Sequence, residues 1–215
     1  VKNYQNKGVV STQRVSIPSD YDLEGIVREN GKKGGVVICH PHPLYGGSMF
    51  NNVVEALEDG FGRKGSATLR FNFRGVEGSS GAYDKGDGEV ADVLAAVRFL
   101  RGVVGSETPL MLAGYSFGAW VCTRAAPGAG ALAGLFLVSY PFAFYDADPL
   151  FQFGGSIYFV GGSHDDIGPV DGLMNVYEAL PGMDKHVKVI PTDHFYGGRS
   201  RELSDFIVEE VRFPA

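Results

Sequence analysis

Apolar and polar positions fall into blocks along this chain, and the period of the blocks switches repeatedly between that of a strand and that of a helix. Gly35–His40 (Gly-Val-Val-Ile-Cys-His) is a short, nearly continuous apolar run, as a strand buried on both faces of a parallel sheet requires. The spacing of Val53, Val54, Leu57 and Phe61 predicts a helix over Met49–Lys64, and Val90, Val93, Leu94, Val97 and Leu100 predict another over Glu89–Arg101. Ala67–Phe73 lies between them as a strand. Leu110–Ala113 is the next strand, and a helix runs from Ser116 to about Ala126, stopped by Pro127-Gly128. Ala131–Ser139, Ser156–Val160 and Val187–Ile190 read as three more strands, with helices over Leu173–Leu180 and Arg201–Val211. Nearer the start, Arg14–Ile17 and Asp20–Arg28 alternate weakly around Pro18-Ser-Asp, the pattern of an antiparallel pair. Strand–helix alternation with buried strands implies the α/β class and a doubly wound, mostly parallel sheet with antiparallel N-terminal strands.

One stretch has no period. Phe136–Phe153 holds Tyr140, Phe142, Phe144, Tyr145, Phe151 and Phe153 among two prolines. It reads as a loop or a small cap. Its rings are expected either to pack into the core or to wall an apolar pocket.

Composition narrows the classes of function. The length of 215 residues fits one α/β domain spanning residues 1–215, and 44% hydrophobic with 20% charged residues is ordinary for a globular chain with a sizeable core. The net charge of −6 and the absence of a Lys/Arg stripe argue against a nucleic-acid partner. No apolar run approaches the ~18 residues that would span a bilayer, and no basic-then-apolar signal opens the chain. The two cysteines, Cys39 and Cys122, fall in predicted core elements. They read as small buried hydrophobes in a reducing, cytoplasmic setting.

The chemistry enters at Gly114-Tyr-Ser116-Phe-Gly118, which stands at the junction of the strand Leu110–Ala113 and the next helix. A Gly-x-Ser-x-Gly at such a junction forms a sharp, strained turn that lifts the serine hydroxyl above the sheet, with the helix N-terminus behind it. Ser116 is therefore a candidate nucleophile. A serine hydroxyl near neutral pH needs a base, usually His, and a carboxylate to orient that imidazole. On this architecture the carboxylate and then the histidine should lie on later post-strand loops. His164-Asp165-Asp166 comes after the strand Ser156–Val160, and Thr192-Asp193-His194 after Val187–Ile190. Asp165 or Asp166 is the candidate acid. Of the five histidines, His194 is the one on a post-strand loop downstream of that acid. His186 precedes a strand and reads as a surface residue.

An oxyanion hole needs two backbone N–H groups. Phe117, directly after the serine, supplies one. The loop His40-Pro41-His42-Pro43-Leu44 should supply the other. Its prolines have no N–H, so His42 is the nearest donor and Leu44 the next. His40 and His42 at a spacing of two also have a zinc-like pattern, but no Cys or Glu cluster completes a ligand set, and His40 reads as structural beneath the loop. The loop from Arg70 to Gly81 is glycine-rich without the lysine and hydroxyl pattern of a phosphate cradle. Its arginines are expected in ion pairs.

These segments together resemble the α/β-hydrolase superfamily, and within it the small dienelactone-hydrolase-like proteins with little or no cap. The resemblance runs from about residue 35 to 210. It rests on residues 39–49, 70–76, 86–89, Gly-Tyr-Ser-Phe-Gly-Ala (114–119), Gly-Ser-His-Asp-Asp-Ile (162–167) and Asp-His-Phe (193–195). By that similarity the acid is Asp165, with Asp166 second. Two departures stand out: a serine where dienelactone hydrolases proper carry cysteine, and His-Pro-His-Pro in place of the lipase-type His-Gly-Gly-Gly. The resemblance implies a serine hydrolase, a carboxylesterase for small acyl esters, using Ser116, His194 and Asp165 with Phe117 and His42 at the oxyanion. It implies no metal or organic cofactor and a small-molecule ester as substrate. A thioesterase, acyltransferase or peptidase would use the same residues, and a non-catalytic binding protein is the rival from another class.

Overall fold

The computed structural model describes residues 11–29, 31, 33–182 and 184–214. Its described strands form one sheet in the order β1-β2-β4-β3-β5-β6-β7-β8. β1 (Ser11–Pro18), β2 (Asp22–Glu29) and β4 (Ala67–Phe71) pair antiparallel. From β4 onward every pairing is parallel, through β3 (Gly35–Cys39), β5 (Leu110–Tyr115), β6 (Gly134–Val138), β7 (Ser156–Gly162) and β8 (Lys185–Ile190).

The buried strands feed two cores because successive side chains point to opposite faces. In β5, Leu110 and Leu112 join the core under α2 (Asp87–Val104), α3 (Phe117–Ala125) and α4 (Val170–Ala179). Met111, Ala113 and Tyr115 join the core under α1 (Asn52–Arg63) and α5 (Ser200–Glu210). β3 divides in the same way, with Val37 and Cys39 on one side and Val36 and Ile38 on the other. This is the doubly wound, mostly parallel architecture that the sequence pattern predicts.

The differences are at element ends. β4 stops at Phe71 rather than Phe73, because Asn72 turns out of the sheet to accept the Met49 N–H on its Oδ1 (2.8 Å) and to donate to Glu24 Oε2 (2.9 Å). α4 begins at Val170, behind Pro169, rather than at Leu173. Ser116 does not start α3. It has φ 54° and ψ −121°, so helical backbone begins at Phe117.

The aromatic stretch divides as well. Residues 134–138 are β6, and the segment after them is a loop with a 3₁₀ turn over Asp148–Gln152 rather than a cap. Tyr140 and Leu150 are buried in it, whereas Phe144 and Phe151 are exposed. Cys39 and Cys122 are both buried and free. Among the described residues no helix is long and apolar enough to cross a membrane.

Candidate active site

The site sits at the carboxyl ends of β5, β7 and β8, where an open α/β sheet places its ligand crevice. Ser116 has a positive φ that non-glycine residues rarely adopt, and its glycine neighbours make the turn sterically possible. A Cβ on Gly114 would lie 2.4 Å from the Gly118 carbonyl oxygen, and one on Gly118 would lie 2.4 Å from the Cys39 carbonyl oxygen. The Ser116 turn is thus pressed against the end of β3, the strand that leads into the His40–Leu44 loop.

Asp165 and His194 come to this turn from their own strand ends. The His194 Nδ1–H donates to the Asp165 carboxylate, with 2.9 Å to each oxygen. The Ser116 Oγ–H donates to His194 Nε2 at 2.9 Å. All three residues are less than a tenth exposed, and the tautomer is set by these partners. Asp166 is exposed and takes no part. His164 is also exposed, its Nδ1 against the Ser163 hydroxyl. His186 stacks on Tyr158 at 4.6 Å and pairs with Asp184 (3.1 Å), away from the site.

The carboxylate is held charged against its surroundings. Burial pushes the Asp165 carboxyl up, but hydrogen bonds from His194, the Gly168 backbone and Ser139 outweigh that, and the carboxyl ends below its ordinary value. The backbone N–H groups of Ile167 (2.9 Å) and Gly168 (2.8 Å) both reach Oδ1.

Three supporting residues, Ser139, Tyr196 and Tyr115, are not marked out by the sequence pattern. Ser139, at the end of β6, has φ 44°, and its Oγ meets the Tyr196 hydroxyl at 2.8 Å beside Asp165. Tyr115, the residue before Ser116, donates its hydroxyl to the His194 carbonyl oxygen at 2.6 Å and so anchors the His194 loop to β5. A usable signal exists only for Ser139: it directly succeeds a parallel strand, as Ser116 and the Asp165 loop do.

The loop after β3 is ordered by its histidines. His40 is fully buried. Its Nε2 accepts the Phe73 N–H at 3.0 Å, and its Nδ1–H donates to the Pro41 carbonyl at 2.6 Å. Burial, foremost, lowers its pKa to about 4. His42 Nδ1 accepts the Leu44 N–H at 3.2 Å, and Nε2–H faces the Tyr83 hydroxyl at 3.1 Å. Leu44 is therefore engaged. Among the described residues the N–H groups of His42 and Phe117 have no hydrogen-bond partner. The paired histidines do not converge on a common point, since every ring nitrogen of both is taken by a different protein group.

Behind this loop Arg74 and Asp92 form a buried pair. Arg74 Nη2 is 2.7 Å from Oδ1, and its Nε and backbone N–H are each 3.0 Å from Oδ2. Arg70 pairs with Glu55 and Glu58. A groove of about 530 Å³ between α1 and α5 is lined by Glu55, Asp59, Arg63 and Ser204, and Ser116 is not part of its lining.

With this geometry in view, the chain matches the model of the alpha/beta hydrolase family over residues 36–209. It is 30% identical over 184 residues to an uncharacterized protein of Rickettsia prowazekii, covering 80% of this chain and 75% of that one. An alpha-beta serine hydrolase homologue from Coxiella burnetii superposes with a TM-score of 0.84 at 32% identity, covering 94% of this chain and 98% of that chain. A serine hydrolase without lid from Xanthomonas campestris superposes with a TM-score of 0.80 at 27% identity, covering 95% and 94% respectively.

Proposed function

The chain belongs to the alpha/beta hydrolase family, and on that premise we propose that it is a serine carboxylesterase for small acyl esters, with Ser116, His194 and Asp165 as its triad. The observation that carries this reading is the pair of hydrogen bonds made by one imidazole, to Ser116 Oγ on Nε2 and to Asp165 on Nδ1. A base so oriented can take a proton only from the serine side, which is the role acyl transfer asks of it.

In this reading Ser116 Oγ attacks the ester carbonyl carbon while its proton passes to His194 Nε2. Negative charge then develops on the former carbonyl oxygen. The N–H groups of Phe117 and His42 receive it, the first backed by the N-terminus of α3. Collapse of the tetrahedral intermediate breaks the carbon–oxygen bond, and His194 Nε2–H protonates the departing alkoxide. Water attacks the acyl-enzyme in turn, gives its proton to Nε2, and releases the carboxylic acid with Ser116 restored. Asp165 stays ionised throughout and stabilises the imidazolium. The Leu44 alternative for the oxyanion is disfavoured, because its N–H is already bonded to His42.

A fluorophosphonate tests the reading. One adduct is expected, on the peptide containing Ser116, and Ser116→Ala should abolish it together with ester hydrolysis. Labelling that persists in the variant would assign the nucleophile elsewhere, and an unlabelled wild type would favour a binding protein on the same fold.

A further inference from the structure

Six aromatic side chains gather beside Ser116 from four separate segments. His42 has Tyr45 at 4.7 Å and both Tyr83 and Phe117 at 4.9 Å, centroid to centroid. Phe117 in turn has Trp120 at 5.6 Å and Tyr145 at 6.5 Å. Tyr145, from the loop after β6, stacks on Trp120 at 4.0 Å with 20° between the planes. The rings therefore form one continuous wall across the oxyanion loop, the loop before α2, the nucleophile helix and the loop after β6.

The wall is closed at its base, where Phe117 is 1% exposed, half-buried at His42, Tyr83, Trp120 and Tyr145, and open at its rim. Tyr45 is 86% exposed, with Leu44 at 67% beside it, and Phe144 is 72% exposed next to Tyr145. Large apolar side chains left in water around a reactive serine mark a surface meant to be covered by a ligand. The rings of the wall are themselves uncharged, and the one cation on them, the Arg124 guanidinium 4.8 Å from the Trp120 centroid, is neutralised by Asp87 at 2.6 Å. Burial holds His42 toward its neutral form, and burial, with Tyr145, the Glu89 carboxylate and Tyr45 nearby, raises the Tyr83 phenol and keeps it protonated.

Its position relative to His194 decides which part of a substrate it meets. The ring contacts of His194 are with Tyr115 and Phe195, outside the wall. The leaving alcohol must lie at His194 Nε2, which protonates it. The wall includes Phe117 and His42, whose N–H groups meet the carbonyl oxygen in this reading, and among the described residues none of its rings contacts the His194 ring, which assigns the wall to the acyl side of the ester.

We propose that this wall is an acyl subsite that selects esters of uncharged aromatic carboxylic acids. The proposal rests on the esterase reading above. Offset or edge-on packing of a substrate ring against Tyr45 and Tyr145 adds attraction that a saturated ring of the same size does not gain.

Methyl benzoate and methyl cyclohexanecarboxylate share a leaving group and nearly a size, so their kcat/KM values, measured by pH-stat and each divided by the ester's own rate of hydrolysis by hydroxide, isolate the effect of ring packing. A preference of about tenfold for the benzoate is expected, equivalent to about 1.4 kcal/mol. Tyr45→Ala, at an exposed position where folding is not at stake, should bring the ratio toward one, and Tyr145→Leu should do the same from the opposite loop. A ratio of one in the wild type, or a preference that survives both substitutions, overturns the subsite. A small alkyl fluorophosphonate applied to the wild type separates the two levels. Labelled Ser116 without aromatic preference removes the subsite alone, and an unlabelled Ser116 removes the serine-hydrolase reading beneath it.

Discussion

Acidification to about pH 4.5 should loosen the fold through His40, a residue with no part in the proposed chemistry. His40 is buried at the end of β3, with Nε2 accepting the Phe73 N–H and Nδ1–H donating to the Pro41 carbonyl. Protonation would aim a second N–H at a backbone donor and place a charge in the core. Burial, foremost, therefore lowers its pKa from 6.5 to about 4. The unfolded chain takes up this proton as pH falls through about 6.5, while the folded chain does not until about 4. Between those values the unfolded state binds more protons, so stability declines as pH falls and levels off below about 4. The gap between 6.5 and about 4 is worth about 3.5 kcal/mol at ~1.4 kcal/mol per pH unit, of which roughly 2 kcal/mol is lost between pH 7 and pH 4.5. That is a large share of the 5–15 kcal/mol typical of a domain. His42 adds to the decline with the same sign. Glu58 opposes it, since burial, foremost, raises its carboxyl. The useful quantity is thus the difference between wild type and His40→Gln, whose amide oxygen can still accept from Phe73. Urea unfolding at about pH 7 and about pH 4.5 measures both. The variant should be less stable at pH 7, by about 1–3 kcal/mol for imperfect replacement of a buried hydrogen bond, but its loss on acidification should be smaller by roughly 2 kcal/mol. Equal losses in the two proteins would refute the assignment of the acid sensitivity to His40.

Two further outcomes can be measured directly. Asp165→Asn should lower kcat by about 10⁴-fold, as when an amide replaces a triad carboxylate and turns the imidazole to the wrong tautomer, while Asp166→Asn, at an exposed residue, should change it less than about twofold; kinetics of any turned-over ester decide, and a crippled Asp166→Asn would contradict the geometry. Asp92→Ala should destabilise the protein by about 3–5 kcal/mol, because it strands the Arg74 guanidinium in a site where that side chain is 7% exposed; a shift of the urea midpoint worth less than about 1 kcal/mol would show that water reaches Arg74 on unpairing.

The elements whose pattern is local were legible in the sequence. β3 and β5 read as doubly buried strands because every residue in them meets protein on one face or the other, so apolar character is continuous. The turn at Ser116 was legible because its geometry excludes any Cβ at residues 114 and 118, a requirement that shows as two glycines at fixed positions. The order of the Ser116, Asp165 and His194 loops reflects strand order, which alternation already implies. Element ends were less legible. Phe71 ends β4 because Asn72 finds partners at Glu24 and Met49, and those partners are remote in sequence.

The features that the chain alone determined are governed by backbone geometry and burial within a few residues: the strand–helix alternation, the strained turn, and the loops that carry a serine, a carboxylate and a histidine. Tertiary structure decided everything that depends on direction and distance. It turned Asp165 toward His194 and left its neighbour Asp166 in water, a choice made by the Ile167 and Gly168 N–H groups that grip Asp165 Oδ1. It occupied the Leu44 N–H with a histidine nitrogen and, among the described residues, left the His42 N–H without a protein partner. It also joined Tyr45, Tyr83, Trp120 and Tyr145 into one wall, although no period links them along the chain. Hydrogen bonds and ring contacts act over a few ångströms, and which residues come that close is set by how the loops at the sheet's carboxyl edge pack together, not by their spacing in sequence.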